Sequence, residues 1–159
     1  MNAIDLLEQQ HRELADLFEL IGEAKGRDKA ALAAELADAL AAHTAIEERI
    51  FYPRALDAGT EDMLREAVEE HLSAKRLLAD LLESGPSDPQ FAAKIEVLRE
   101  QIEHHVEEEE GELFPVVRRH LKDQLEEIGA EMEALYADLS QGRPGEGIAA
   151  ETSEPAPLT

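Results

Sequence analysis

The residues of this chain best suited to metal chemistry are histidines and glutamates that recur at matching positions in two repeats. Residues 43–53 and 105–115 both follow the pattern H-x-x-x-E-E-x-x-apolar-aromatic-P. A single histidine, His11 or His71, precedes each repeat at a similar distance. A histidine and a glutamate four residues apart lie on one face of a helix, about 6 Å apart along its axis. Two such pairs and two single histidines therefore predict a site for two metal ions.

The helical pattern places these histidines on the apolar faces of their helices. A large aliphatic residue lies seven positions before each of the four: Ile4, Leu36, Leu64 and Leu98. A single inward histidine is more often a hydrogen-bonded core residue than a ligand. Four of them, two with a glutamate one turn later, favour a metal site, because buried carboxylates are costly without a compensating cation. The predicted ligands are His11, His43, Glu47, His71, His105 and Glu109.

His104 also has a glutamate four residues later, so two histidines compete for the ligand position in the second repeat. His105 lies ten residues before the proline of its repeat, as His43 does in the first, and the apolar stripe of the helix leads to it. We therefore expect His104 to lie at the edge of the site or to support a ligand. His120 is expected to be a surface residue.

The composition limits the kinds of partner and site. With 37 acidic and 15 basic residues, the net charge of −22 argues against nucleic acids and anionic membrane surfaces as partners. The chain has no cysteine, so histidine and carboxylate must hold any metal. The sequence shows no signal-peptide pattern and no apolar run of about 20 residues, so we expect a cytoplasmic protein without a membrane span.

The composition also predicts an all-α protein, because Ala, Leu and Glu dominate positions 1–140 and glycine and proline are sparse there. The first four predicted helices form an up-down-up-down four-helix bundle, and the fifth is a short C-terminal helix. Residues 1–140 are expected to form this bundle domain, and residues 141–159, rich in glycine and proline, a disordered tail. The predicted helices cover roughly residues 3–23, 28–56, 60–83, 88–114 and 118–139.

Prolines and capping residues indicate several helix ends. Ser87 or Asp88 is expected to cap the fourth helix, with Pro89 in its first turn, where the missing N–H costs nothing. Pro53 and Pro115 lie at the same offset in both repeats. Because a proline inside a helix costs about 3 kcal/mol, we expect the chain to bend or stop at both.

With these motifs and the single histidines before them, the chain resembles the hemerythrin-like family, the HHE cation-binding domain, over roughly residues 1–135. The resemblance implies a four-helix bundle that holds two Fe ions as an oxo- or hydroxo-bridged di-iron centre. It also implies reactivity toward O2, peroxide or NO. By position, the resemblance assigns the ligands to the six residues predicted above, with Glu47 and Glu109 bridging the irons.

Two positions depart from the oxygen-carrying members of that family. Those members have a fifth histidine four residues after the one that corresponds to His71, where this chain has Lys75, and usually an aspartate where it has Glu110. Two six-coordinate ions offer about 12 positions, of which the six residues fill about eight and a bridging oxygen two more. This open site favours reaction with a substrate over reversible O2 carriage. Glu8 and Tyr52 are candidates for a further ligand.

The sequence leaves two functions open. The first is a di-iron protein that binds or reacts with the small molecules O2, peroxide or NO, including the decomposition of peroxide. The second is a module for iron storage, sensing or buffering without turnover. A ferritin-like oxidase is disfavoured because that architecture needs two E-x-x-H pairs, and Val68 occupies the glutamate position before His71. Iron itself follows from the resemblance, since histidine and carboxylate also suit zinc, manganese and copper.

Overall fold

The computed structural model describes residues 1–157, which form helices joined by short turns, with no strand in that range. None of the helices described there combines the length and the hydropathy that crossing a membrane requires. Two π-helical segments, Glu47–Phe51 and Glu109–Leu113, and two 3₁₀ turns, Leu56–Ala58 and Pro144–Gly147, lie between helices. The α-helices are α1 (Ala3–Glu23), α2 (Arg27–Ile46), α3 (Tyr52–Ala55), α4 (Glu61–Ser84), α5 (Phe91–Glu108), α6 (Phe114–His120), α7 (Leu125–Ser140) and α8 (Ile148–Glu151).

The four long helices α1, α2, α4 and α5 form the predicted bundle. Both α1 and α4 contact α2 and α5, so the four helices close into a ring. Along α1 and α4, buried residues of one hydrophobic cluster precede the histidine and those of a second cluster follow it. Along α2 and α5, with the segments that extend them, the order is reversed. The helices therefore alternate in direction, and the histidines form a polar layer between two hydrophobic clusters.

Helix α7 closes one end of the bundle against α1. Its buried residues Ile128 and Met132 belong to the hydrophobic cluster that contains the start of α1. Gly129 allows the close approach, because a Cβ at that position would overlap Met1 O and come within 2.8 Å of Ala3 N. Glycine, which has no side chain, therefore lies where the backbone of α7 meets the backbone at the start of α1.

A π-helical segment follows the histidine-containing helix in both repeats. Each segment begins at the first glutamate of its motif. It ends with a hydrogen bond between residues i and i+5: Tyr52 N–H donates to Glu47 O, and Phe114 N–H donates to Glu109 O. The proline of each repeat lies in the first turn of the α-helix that follows. The chain therefore stays helical through both prolines by way of a widened turn, where the sequence predicts a bend or an end. Such π turns are frequent at functional sites.

Two helices begin later than the sequence predicts. The N-cap of α5 is Gln90, because Asp88 lies in a preceding turn, where its carboxylate accepts hydrogen bonds from Gln90 N–H (3.0 Å) and Lys94 Nζ (3.1 Å). Pro89 therefore precedes the helix instead of lying in its first turn. Helix α7 begins at Leu125, later than predicted, because α6 extends the fourth helix and a turn separates the two.

The segment after α7 differs from the disordered tail predicted for residues 141–159. Its 3₁₀ turn packs on α2, and α8 packs on α4. Arg143 Nε donates to Asp38 Oδ2 at 2.7 Å, and Ile148 is fully buried. One ion pair and one apolar side chain anchor a segment whose glycine and proline content alone predicts disorder. Residues 158–159, the end of the predicted tail, lie outside the described residues.

Candidate metal centre

The six predicted ligands converge on one buried site in the polar layer of the bundle. They form two groups, within each of which the ligand atoms all lie within 4.8 Å of one another. Both groups contain Glu47 and Glu109. We call the group with His11 and His43 the first half-site, and the group with His71 and His105 the second half-site.

Each of the two glutamates turns one carboxylate oxygen to each half-site. Glu47 Oε1 lies 2.8 Å from His43 Nε2, and Glu47 Oε2 lies 3.0 Å from His71 Nε2. In the same way, Glu109 Oε1 lies 3.2 Å from His11 Nε2 in the first half-site, and Glu109 Oε2 lies 3.2 Å from His105 Nε2 in the second. In this arrangement, two carboxylates could bridge a pair of cations.

The site is closed to solvent and contains polar atoms that the protein itself does not satisfy. Glu47 is fully buried, and Glu109 is buried beside it. Within residues 1–157, His11 Nε2, Glu47 Oε1 and Glu109 Oε1 are buried and make no hydrogen bond of normal geometry, although each lies within 3.2 Å of another polar atom of the centre. Buried carboxylates are strongly destabilising unless a cation compensates them, so these atoms fit a metal ion. Histidine and carboxylate suit iron, zinc, manganese or copper, whereas magnesium and calcium prefer oxygen ligands alone.

A surrounding set of polar side chains orients the four histidine rings. Each Nδ1 atom lies within hydrogen-bond distance of a side-chain oxygen. A ring that donates its Nδ1–H outward presents the Nε2 lone pair to the centre, which is the usual support for a metal-bound histidine. The pairs are His11–Glu110 (2.6 Å), His43–Gln10 (2.7 Å), His71–Glu48 (2.7 Å) and His105–Glu70 (2.9 Å).

These four supporting residues are not among those predicted from the sequence, although the repeats contain a signal for them. Glu48 and Glu110 are the second glutamates of the two H-x-x-x-E-E motifs. Gln10 and Glu70 each come directly before a single histidine. The supporting residues are therefore repeated in the same way as the predicted ligands, but each supports a histidine on another helix.

Protons compete for the atoms of this centre. Burial alone would lower the pKa of His11, but the neighbouring carboxylates of Glu109 and Glu47 outweigh burial and raise that pKa to about 10. Carboxylates likewise raise the pKa values of His71 and His105 against the effect of burial. Burial would raise the pKa of Glu47, but the neighbouring histidines hold it well below its usual value. A metal ion must displace protons from the histidines to bind.

The aromatic residue of each repeat makes the two half-sites different. Tyr52 Oη donates toward the Oε2 atoms of Glu47 and Glu109, each at 2.7 Å, and lies 3.3 Å from His71 Nε2. A phenol has one hydrogen, so it can serve only one of these carboxylates at a time. Phe114, in the equivalent position, stacks on His11 with ring centroids 6.0 Å apart and has no polar side-chain atom. Only Tyr52 thus brings an additional oxygen to the centre at this position.

Other candidates from the sequence lie outside the two half-sites. Glu8 Oε1 lies 3.7 Å from Arg118 Nη2 and belongs to neither group. The side chain of His104 is 62% exposed. His120 is exposed, and its Nδ1 donates to a backbone carbonyl within its own helix.

Lys75 occupies the position where the oxygen-carrying family members have a fifth histidine, and it is buried. Its Nζ lies 3.4 Å from Glu48 Oε2 and 3.4 Å from Glu151 Oε1. Glu48 in turn supports His71. Lysine at this position therefore pairs with a supporting carboxylate and does not offer an imidazole to the centre.

Comparisons with known proteins agree with this geometry. The hemerythrin HHE cation binding domain matches residues 2–117. A crystal structure of a hemerythrin HHE cation binding domain-containing protein from Mycobacterium kansasii superposes with a TM-score of 0.78 at 27% sequence identity, covering 97% of this chain and 94% of that one. A Nostoc sp. protein named DNA nickase is 28% identical over 152 residues, which are 94% of this chain but 43% of that longer relative. The family match over most of the chain and the buried histidine–glutamate cluster show that this protein belongs to the hemerythrin HHE cation-binding domain family.

Proposed function

We propose that this protein holds a non-haem di-iron centre and binds or reacts with O2, peroxide or NO, including the decomposition of peroxide. The observation that carries the proposal is the pair of half-sites that share both carboxylates. The two histidines of each half-site would hold one iron, and Glu47 and Glu109 would be shared between the irons. Two irons held there would supply redox chemistry at the positions that the protein leaves open.

The protein itself contributes a rigid and dry surrounding. Four supporting oxygens orient the imidazole rings, and the fully buried rings of Phe51 and Phe114 pack edge to face with centroids 5.7 Å apart. Excluding water in this way strengthens the electrostatic interactions inside the site. Tyr52 holds a hydroxyl proton beside both carboxylates, so the second half-site has a proton donor at the position where the first has the Phe114 ring.

Metal analysis and visible spectroscopy of protein purified after growth with added iron test the proposal. We expect about two irons per chain, an absorption spectrum that changes with NO or O2, and O2 evolution on addition of peroxide. His43→Ala should lower the iron content to about one per chain and abolish O2 evolution, whereas His120→Ala, at an exposed histidine, should preserve both. An iron-loaded protein without turnover and without a spectral change would contradict the reactive function.

Iron storage, sensing or buffering is the second candidate function. The net charge of −22 favours it, because an acidic surface raises the local concentration of cations. The same experiment separates the two functions. A buffering or sensing module would take up iron and change its stability or partner binding with iron supply, while its turnover of peroxide would stay negligible.

We further propose that nucleic acid is not a partner of this chain, although the Nostoc relative is named DNA nickase. The chain spans 43% of that relative, and its 37 acidic residues outnumber 15 basic ones. Binding to duplex DNA depends on lysine and arginine that neutralise phosphates. Incubating supercoiled plasmid with the iron-loaded protein should therefore leave the plasmid intact. Iron-dependent nicking that is lost in His43→Ala would overturn this proposal.

A further inference from the structure

A third group of metal-ligating side chains lies outside the two half-sites, at the surface between α4 and α5. This outer group, as we call it, consists of Glu70, His104 and Glu108, whose ligand atoms all lie within 4.8 Å of one another. His104 Nε2 lies 2.9 Å from Glu108 Oε1 and 3.9 Å from Glu70 Oε2. A histidine–glutamate pair one turn apart is common on an acidic helix. Here a carboxylate from a second helix completes the group.

The outer group is connected to the buried centre through Glu70. One oxygen of that carboxylate faces His104, and the other accepts a hydrogen bond from His105 Nδ1 at 2.9 Å. Side-chain exposure falls steadily along this path, from the surface to the centre. The exposed fractions are 62% for His104, 35% for Glu108, 23% for Glu70, 7% for His105 and 2% for Glu109.

A small cavity occupies the space between the outer group and the second half-site. Its volume is about 30 Å³, which is enough for a water molecule or a single cation. Glu70 and Glu108 line it together with the buried residues His105 and Glu109. Glu109 Oε2, the carboxylate oxygen of the second half-site, lies 3.2 Å from His105 Nε2. The cavity therefore lies between a surface group of ligands and a carboxylate of the buried centre.

Comparison of the two repeats shows that His104 and Glu108 are not needed to support the centre. Ala42 and Ile46, which are both buried, occupy the positions of the first repeat that are equivalent to His104 and Glu108. Gln10 takes the place of Glu70, and its Oε1 lies 2.7 Å from Nδ1 of His43. The first repeat thus has two buried apolar side chains at the positions where the second repeat presents His104 and Glu108.

We propose that Glu70, His104 and Glu108 form a surface site that captures a divalent cation and passes it to the buried centre. This inference rests on the proposed metal-binding function of that centre. The mixed imidazole and carboxylate ligands suit Fe²⁺, Mn²⁺ or Zn²⁺. Glu66 and Glu112, which also line the cavity, add negative charge along the same path. A cleft lined by one sign of charge accelerates the entry of oppositely charged ions.

The test compares the metal-free chain with the double variant His104→Ala/Glu108→Gln and the matched control His120→Ala/Glu107→Gln. The control removes an exposed histidine and an exposed charge of α5 outside the outer group. Glu70 is left intact because it supports His105. Anaerobic stopped-flow mixing with limiting Fe²⁺ should show loading about ten-fold slower in the double variant than in the wild type and the control. The final iron content should be the same in all three.

A second measurement detects the outer site directly. Once the buried centre is loaded with iron, titration with Mn²⁺ followed by electron paramagnetic resonance should show one further weak site in the wild type and the control. The double variant should lack that site. The single variant His104→Gln, which keeps this exposed position polar, should lose the same Mn²⁺ site and confirm the result independently of folding.

The outcomes separate this inference from the proposed function. If the wild type loads iron and the double variant loads at the same rate with an unchanged Mn²⁺ titration, the capture site is overturned and the buried centre stands. If the wild type itself takes up no metal at the buried residues, the proposed function is overturned and the capture role falls with it.

Discussion

Tyr52 and Phe114 occupy equivalent positions of the two repeats, but only the tyrosine brings a hydroxyl group to the buried centre. Its Oη lies 2.7 Å from an oxygen of both Glu47 and Glu109, whereas the Phe114 ring stacks on His11. The two repeats therefore build a nearly symmetric pair of half-sites, and one oxygen atom distinguishes them.

Tyr52→Phe tests this difference, because it makes the aromatic residues of the repeats identical. The variant removes a buried donor from two carboxylates, so the metal-free protein should lose about 1–3 kcal/mol of stability. The iron-loaded variant should keep its iron but show a changed visible spectrum. Thermal melting and absorption spectroscopy provide the measurements. Tyr136→Phe, at a half-buried tyrosine elsewhere on α7, should alter neither. Superimposable spectra and melting curves for Tyr52→Phe would exclude a role for the hydroxyl at the centre.

His11→Ala should empty the first half-site and preserve the second. The variant leaves one histidine and two carboxylates in the first half-site, whereas the second keeps both histidines and Tyr52. We expect the iron content to fall to about one per chain, with the uncoupled ion visible by electron paramagnetic resonance. His120→Ala should retain both irons. Loss of all iron from His11→Ala would show that the half-sites do not bind independently.

The stability of the metal-free protein should depend on pH in a window set by the centre. The pKa of His11 is raised from 6.5 to about 10, so its stabilising contribution is complete below pH 6.5 and is lost as the pH rises toward 10. The pKa of Glu47 is lowered from 4.5, so its contribution is present above pH 4.5 and is lost as the pH falls further. The contributions of His11 and Glu47 together should make the metal-free protein most stable between about pH 4.5 and about pH 6.5.

Metal binding should reverse the upper part of this dependence, because a metal ion competes with protons for the histidines. The difference in melting temperature between loaded and metal-free protein should therefore widen from about pH 6.5 to about pH 9. Parallel thermal melts across this range measure it. A constant difference, or identical melting curves for the two forms, would contradict the linkage.

Gly145→Ala should loosen the C-terminal segment from the bundle. A Cβ at this position would lie 2.7 Å from the carbonyl carbon of Ala37 and 2.8 Å from Asp38 N, so the two backbones must separate. Overpacking of this kind typically costs about 1–3 kcal/mol. Hydrogen exchange should show reduced protection around Ile148. Gly147→Ala is the matched control, because a Cβ there would meet nothing within 4 Å. Equal protection in both variants would show that this contact does not hold the segment.

The bundle could be predicted from the sequence because helical periodicity is a local property. Ala3–Glu23 was predicted with the bounds that the structure has, and the aliphatic residues seven positions before each histidine indicate which face is buried. Local signals were misleading where a turn or a distant contact decides the outcome. Asp88 has the side chain of a helix cap but serves a turn, and Ile148 anchors a segment whose composition predicts disorder.

The repeated spacing of histidine and glutamate by itself determined which residues could meet, because residues one helical turn apart must share a face. The composition determined the all-α class, and the two repeats with the single histidines before them determined the family resemblance. Only the tertiary structure decided how each glutamate divides its two oxygens between the half-sites and which supporting residue orients each imidazole. The physical reason is distance along the chain: His11 and Glu110 are 99 residues apart, yet their polar atoms lie 2.6 Å from each other. No local pattern encodes such a contact, which forms only when the two helices pack side by side.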